Sequence, residues 1–337
     1  MSETVNALPH RSPGSPSVRG GAVKASSRSD RARAQWRKRL EITILSGPAL
    51  VMFLAFVIFP VFMAAYYGFF KWKGFGAPTN FVGWANYVTI FTDGAFLQAL
   101  QHNGFIVIWS LILQGPAAIA FALLLNQNIK GRSLIRVLIF VPYVISEVIV
   151  GTGWSLMLQY QGALNDLLAN IGLGGMATDW IADPNIAIWT LMVIISWKYI
   201  GFAVILMLAG MQGIPDELYE AAAIDGASYW QIQRWITLPL LGPTIRVWAF
   251  LSIIGSLQLF DLVYIIWGQY VSATAGTSTM ATYMVREGRL AGNYGYGNAV
   301  AVVIFVISLV IALTYQRFVL RRDTEGALTE KPRKVEA

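Results

Sequence analysis

The polar chemistry open to this chain is concentrated in a few side chains set inside long apolar runs. Lys198 lies between Trp197 and Tyr199 in the run 186–211, and Tyr199 shares a helical face with Phe202. Ser252 and Ser256, four apart, share a face of the run 245–267, with Gln258 close behind. Glu147 and Asp261 are the acidic residues within such runs. Ionisable groups inside a membrane are costly, and they mark a solute path, a relay or an internal ion pair. Aromatic faces with a few hydrogen-bonding groups suit a sugar-like solute. Trp197, Lys198, Tyr199, Phe202, Ser252, Ser256 and Gln258 therefore form a candidate solute path. Plainer readings stand beside it. Lys198 can snorkel or join a buried ion pair, and the serines can serve helix packing. Glu147 and Asp261 can pair with Lys198 or act as a gate. No nucleophile–base arrangement stands out, so an enzyme is not expected. His10 and His102 lack partners at metal-ligand spacing, so no metal is assigned. No G-x-x-x-x-G-K-[ST] run is present, so any ATP hydrolysis belongs to another polypeptide.

The elements that must position these residues are membrane helices. The 337 residues are 56% hydrophobic and only 13% charged, with mean hydropathy +0.55, whereas soluble domains are about a quarter charged. Runs long enough to cross hydrocarbon fall at 42–70, 100–125, 135–158, 186–211, 245–267 and 299–320. The first is too long for a signal-peptide core and reads as a retained helix, kinked at Pro48 and Pro60. The expectation is an all-α, polytopic bundle of six transmembrane helices. Residues 1–35 read as a disordered cytoplasmic tail, 36–322 as the transmembrane domain and 323–337 as a second cytoplasmic tail. Cysteine is absent, which excludes disulfides and thiolate chemistry.

The net charge of +7 sits at the ends of apolar runs. No basic and aromatic pattern of a nucleic-acid module accompanies it, so no nucleic-acid partner is expected. Basic residues crowd the amino-terminal tail (Arg31, Arg33, Arg37, Lys38, Arg39), the second connection (Lys130, Arg132) and the carboxyl end (Arg317, Arg321, Arg322). The connection 159–185 holds Asp166, Asp179 and Asp183 and no Lys or Arg. The positive-inside rule then places both termini, and the connection between spans four and five, in the cytoplasm. Trp72, Trp84, Tyr87 and Trp180 lie in the outer connections, as headgroup-level aromatics or as packing of a short cap.

That fourth connection, 213–243, carries the densest local signals. Pro215, Asp216 and Glu217 form a helix start, and 217–224 reads as helix. Gly226 permits a reversal, a second helix fits 228–235, and Pro239 and Pro243 are expected to end regular structure. The result is a hairpin on the cytoplasmic face.

Glu220-Ala221-Ala222, then Asp225-Gly226-Ala227, then Ile236, Leu238 and Pro239, resemble the coupling-loop signature of binding-protein-dependent ABC importer permeases. The resemblance extends to Phe81–Tyr87 after the first span, to Pro142 and the stretch 162–168 with Asn165, and to 260–264 and 294–299. These segments look like the carbohydrate-type, maltose-importer-type subfamily. One departure is the stretch after the fifth span, which reads Trp267-Gly268-Gln269-Tyr270-Val271 in place of the family's Thr-x-Gly-Gly-Pro. The resemblance implies the type I ABC importer permease fold, with the hairpin docking on a cytosolic ATPase. Glu220 would make a charged contact there, Ala221 and Ala222 would allow close approach, and Gly226 would turn. It implies a second permease subunit, two cytosolic ATPase subunits carrying ATP and Mg, and an extracytoplasmic solute-binding protein. This chain would bind no cofactor itself and would sit in the lipid bilayer of a prokaryotic plasma (inner) membrane. The function implied is uptake of a sugar or oligosaccharide. Alternatives are glycerol phosphate or another polar solute through the same architecture, an ATP-independent transporter, and a membrane scaffold.

Overall fold

A computed structural model gives the structure of residues 28–321. The tails read at 1–35 and 323–337 lie outside these residues, apart from 28–35, which are helical. Among the described residues there are helices and one isolated bridge, Phe70 to Phe81, and no strand. Lipid offers no hydrogen-bond partners, so a spanning backbone must satisfy itself, and helices do so.

The chain divides into two units at Phe59 and Pro60. The first holds α1 (Arg28–Phe53) and the π turn Leu54–Ile58. Pro48 lies inside α1 without ending it. The π turn comes just before Pro60, with the Phe59 amide donating to the Leu54 carbonyl. A proline ring crowds the carbonyl four residues back, and the wider turn relieves that.

In order, the remaining helices are α2 (Phe59–Tyr67), α3 (Ala85–Thr92), α4 (Gly94–Trp109), α5 (Gly115–Asn126), α6 (Arg132–Val144), α7 (Glu147–Met157), α8 (Ala163–Asn170) and α9 (Ala187–Gln212). They continue with α10 (Asp216–Ile224), α11 (Tyr229–Ile232), α12 (Leu238–Leu240), α13 (Gly242–Leu257), α14 (Asp261–Thr274), α15 (Met280–Val285) and α16 (Tyr294–Tyr315). Five described stretches are long and apolar enough to cross a membrane: Leu40–Tyr67, Gly94–Asn126, Ala187–Gln212, Gly242–Gly268 and Tyr294–Leu320.

Two spans depart from the unbroken helices expected. The third is the pair α6 and α7, bent by 94°. Pro142 weakens the last turn of α6, Ile145 and Ser146 are extended, and the Ser146 hydroxyl accepts the Val148 amide to start α7. The fifth breaks at 258–260, between α13 and α14.

In the second unit α9 is central, packing against α5 and α6. Gly201 makes the approach to α6 possible, because a Cβ there would overlap the Ile139 carbonyl oxygen. We expect Gly201→Ala to cost about 1–3 kcal/mol through overpacking. Its thermal unfolding in detergent should fall by several degrees, and an unchanged transition would contradict this packing.

At the end where α4 begins, Asp93 caps that helix, accepting from the Ala95 and Phe96 amides and from the Tyr283 hydroxyl at 2.7 Å. Burial pushes its carboxyl up, but these hydrogen bonds and nearby Arg286 hold it below its ordinary value. Aromatic packing closes the connections at this end. Tyr67 stacks on Trp72 at 4.4 Å, Trp84 meets Phe69 edge-on, and Trp180 donates to Asn165.

Candidate functional site

Between α4, α6, α9 and α13 lies a cavity of about 330 Å3. Tyr143 of α6 stacks on Phe202 of α9 at 5.2 Å, with the Tyr199 ring 6.4 Å from Tyr143. Polar groups complete the lining. The Ser110 hydroxyl donates to Gln114 Oε1 at 2.8 Å and lies 2.5 Å from the Ser252 hydroxyl. Ser110 and Gln114 bound the π turn Ser110–Gln114 between α4 and α5. Ile106, Ile195, Trp248, Leu251, Gly255, Ser256 and Leu259 form the rest of the lining, and among the described residues no charged side chain takes part.

Four of the seven residues read as a solute path line this cavity: Tyr199, Phe202, Ser252 and Ser256. Three do not. Trp197 packs edge-on against Trp154 at 5.4 Å. Gln258 is exposed at the break in the fifth span. Lys198 is buried away from the lining. The reason is helical geometry: consecutive residues point about 100° apart, so 197, 198 and 199 cannot share one face.

Lys198 instead closes the broken third span. Its ammonium donates to the carbonyls of Pro142 at 3.0 Å, Tyr143 at 3.1 Å and Ile145. The Pro142 and Tyr143 carbonyls at the end of α6 have no partner within the helix and Ile145 lies in the break, and a buried cation with three donors satisfies all three. Lys198 also lies 3.7 Å from Glu147 Oε1, which accepts the Tyr199 hydroxyl at 2.9 Å. Of the readings open for Lys198, the structure forms the buried ion pair, with Glu147. Asp261 is exposed in the first turn of α14, where an acid suits the helix dipole, and makes no ion pair with Lys198 among the described residues.

Ser110, Gln114, Tyr143 and Trp248 were not singled out from sequence. Ser110 and Gln114 had the signal, the same i,i+4 spacing that drew attention to Ser252 and Ser256. Tyr143 and Trp248 had none beyond being aromatic. Among the described residues no group of His, Cys, Asp or Glu is placed to hold a metal. His102 Nδ1 meets the Ser278 carbonyl at 2.8 Å.

The hairpin after α9 is the second feature. Asp216 and Glu217 open α10 behind Pro215. Gly226 has φ +75°, and the Gly226 and Ala227 amides donate to Ala223 and Ala222. This is the 5→2 and 6→1 pairing of a Schellman cap. Ser228 then starts α11, with its amide held by Gln231 in a capping box. The arms meet where the Tyr219 hydroxyl lies 3.3 Å from the Thr237 hydroxyl, and Gln127 after α5 donates to Tyr229. Ala222 is buried, Ala227, Ile236 and Leu238 are half-buried, and Glu220, Ala221, Asp225, Gly226 and Pro239 are exposed. Ile224 near the tip is 87% exposed, and Trp230 and Trp235 are largely so. Pro239 and Pro243 do not end regular structure as expected. Pro239 follows the π turn Gln233–Thr237 inside the continuous helical run 229–240, the same arrangement as at Pro60, and Pro243 lies in the first turn of α13, where the missing amide would be unpaired anyway.

Residues 114–323 match a family described as "Binding-protein-dependent transport system inner membrane component". The chain is 31% identical over 268 residues to the trehalose/maltose transport system permease protein of Thermococcus litoralis, covering 80% of this chain and 90% of that one. It is 31% identical over 304 residues to the diacetylchitobiose uptake system permease protein of Streptomyces coelicolor, covering 86% and 84%. Among solved structures it is similar to a chain of a bacterial ABC transporter involved in import of the acidic polysaccharide alginate. That match has 28% identity and TM-score 0.73, over 86% of this chain and 99% of that chain.

Proposed function

Since the chain belongs to the family of binding-protein-dependent transport system inner membrane components, we propose that its cavity passes a sugar or oligosaccharide handed over by a separate extracytoplasmic binding protein. The protein is a transmembrane permease subunit of an ATP-driven importer with the type I fold. The observation that carries the solute reading is the lining itself: the aromatic wall of Tyr143, Tyr199 and Phe202 beside the Ser110, Gln114 and Ser252 network. Aromatic faces with a few placed hydroxyl and amide groups are what a neutral, hydroxyl-rich solute needs. The relatives named for trehalose, maltose and diacetylchitobiose point the same way. A phosphorylated solute fits less well, because among the described residues no cation lines the cavity and Lys198 spends its donors on the end of α6 and the Ile145 carbonyl beyond it.

In this reading the hairpin α10–α11 lies in the cytoplasm and is gripped by one of two ATPase subunits that carry ATP and Mg. A second permease completes the path, and both termini are cytoplasmic. Glu220, Ala221, Asp225 and Gly226 offer an exposed face, Ile224 and Trp230 add apolar area, and Ala222 is buried. ATPase closure moves the hairpins and exchanges outward-open and inward-open states.

The test is uptake by the reconstituted complex of trehalose, maltose and diacetylchitobiose in turn. Tyr199→Ala should raise the half-saturating concentration of the transported sugar about tenfold, or about 1.4 kcal/mol, with ATPase subunits still copurifying. Tyr199→Phe keeps the ring and should stay closer to the parent. Normal kinetics in Tyr199→Ala would remove this wall from the path.

A further inference from the structure

The break in the fifth span depends on a side chain that does not touch the cavity. Helix α13 ends at Leu257, and the last carbonyls of a helix have no partner within it. Asn103 of α4 is fully buried and reaches them. Its Nδ2 donates to the Ser256 carbonyl at 2.6 Å and the Leu257 carbonyl at 3.3 Å. Its Oδ1 accepts the Met280 amide, at the first residue of α15, at 2.9 Å. The Thr279 hydroxyl, at the cap of α15, donates to the Leu259 carbonyl at 2.7 Å. One amide thus joins α4, α13 and α15, and with Thr279 it satisfies three carbonyls of the break.

Gly255 and Ser256, just before this break, and Leu259, within it, line the cavity, and Asn103 does not. Asn103 is on the same face of α4 as Ile106 and Ser110, three and seven residues on, both of which do line it. Two walls of the cavity are therefore set against each other through the Asn103 amide. A buried amide of this kind has one low-energy arrangement, because any slip strands several polar groups without partners.

We propose that Asn103 is a positioning residue for the cavity, fixing the broken fifth span so that Ser256 and Leu259 face the solute path. The solute path itself rests on the function proposed above, so the experiment separates the two. The chain has no cysteine, so Ser256→Cys provides a single thiol in the lining, and Ala77→Cys provides one in the exposed connection after α2 as control. Labelling with a small methanethiosulfonate reagent is measured on the assembled complex, with and without Asn103→Leu. The rate at position 256 should change at least fivefold, while the rate at position 77 stays the same. Disaccharide uptake by Asn103→Leu in the otherwise unaltered chain should show a half-saturating concentration raised about tenfold. If Asn103→Leu does not accumulate, Thr279→Val removes one donor with little change of shape, and a smaller change in the same direction is expected. An unchanged rate at position 256 in whichever variant accumulates overturns the positioning role. A changed rate with unaltered uptake supports that role and instead removes the cavity from the solute path.

Discussion

Glu220→Lys is expected to reduce uptake at least a hundredfold while the chain still reaches the membrane in normal amount. Glu220 is exposed on α10, so the substitution disturbs no packing within this chain. The buried neighbour Ala222 and the Gly226 cap hold the helix in place without it. What changes is the sign of the charge offered to a docking subunit. Setting like charges against each other across an interface costs several kcal/mol, and a hundredfold loss corresponds to about 2.8 kcal/mol. Uptake should be measured together with copurification of the ATPase subunits. Full transport by Glu220→Lys would remove Glu220 from the coupling contact, and labelling of a cysteine at position 220 from the outside medium would overturn the orientation.

Lys198→Met should act on stability rather than on solute handling. Its ammonium serves three carbonyls at the end of α6 and the Glu147 carboxylate, and it is almost fully buried. Removing one partner from a fully buried pair costs about 3–5 kcal/mol, because the other is left uncompensated; the Glu147 side chain is 29% exposed, so the cost here falls at or below the lower end of that range. Glu147 would keep only the Tyr199 hydroxyl on its Oε1, since its Oε2 is buried without a hydrogen-bond partner among the described residues. The amount of folded protein and its transition temperature in detergent should both fall sharply. Adding Glu147→Gln should recover part of the loss by removing the stranded charge. A normally folded Lys198→Met protein that had lost solute affinity would instead return Lys198 to the solute path.

These two residues show how unevenly the molecule can be read from its chain. The hairpin was legible because its determinants are local. Pro215 with two acids starts a helix, and a glycine at positive φ ends it within ten residues. The broken third span left a local trace as well, in Pro142 followed by the Ser146 and Glu147 pair at the start of α7. A strong apolar run hid that trace, since hydropathy counts residues and does not register a change of direction. The break at 258–260 left no comparable signal, having neither proline nor glycine.

The sequence by itself determined that the protein spans a membrane, how many apolar runs do so, and where the chain turns back as a hairpin. Each of these follows from the composition or conformational preference of contiguous residues. Only the tertiary structure decided that Lys198 caps α6 and that Tyr199 and Phe202 meet Tyr143 and Ser252 around one cavity. It also decided that Asn103 secures a break more than a hundred and fifty residues away, Ser256 standing 153 positions further along the chain. Those outcomes depend on which helix faces come together. Interhelical packing sets that choice, and no single run of residues encodes it.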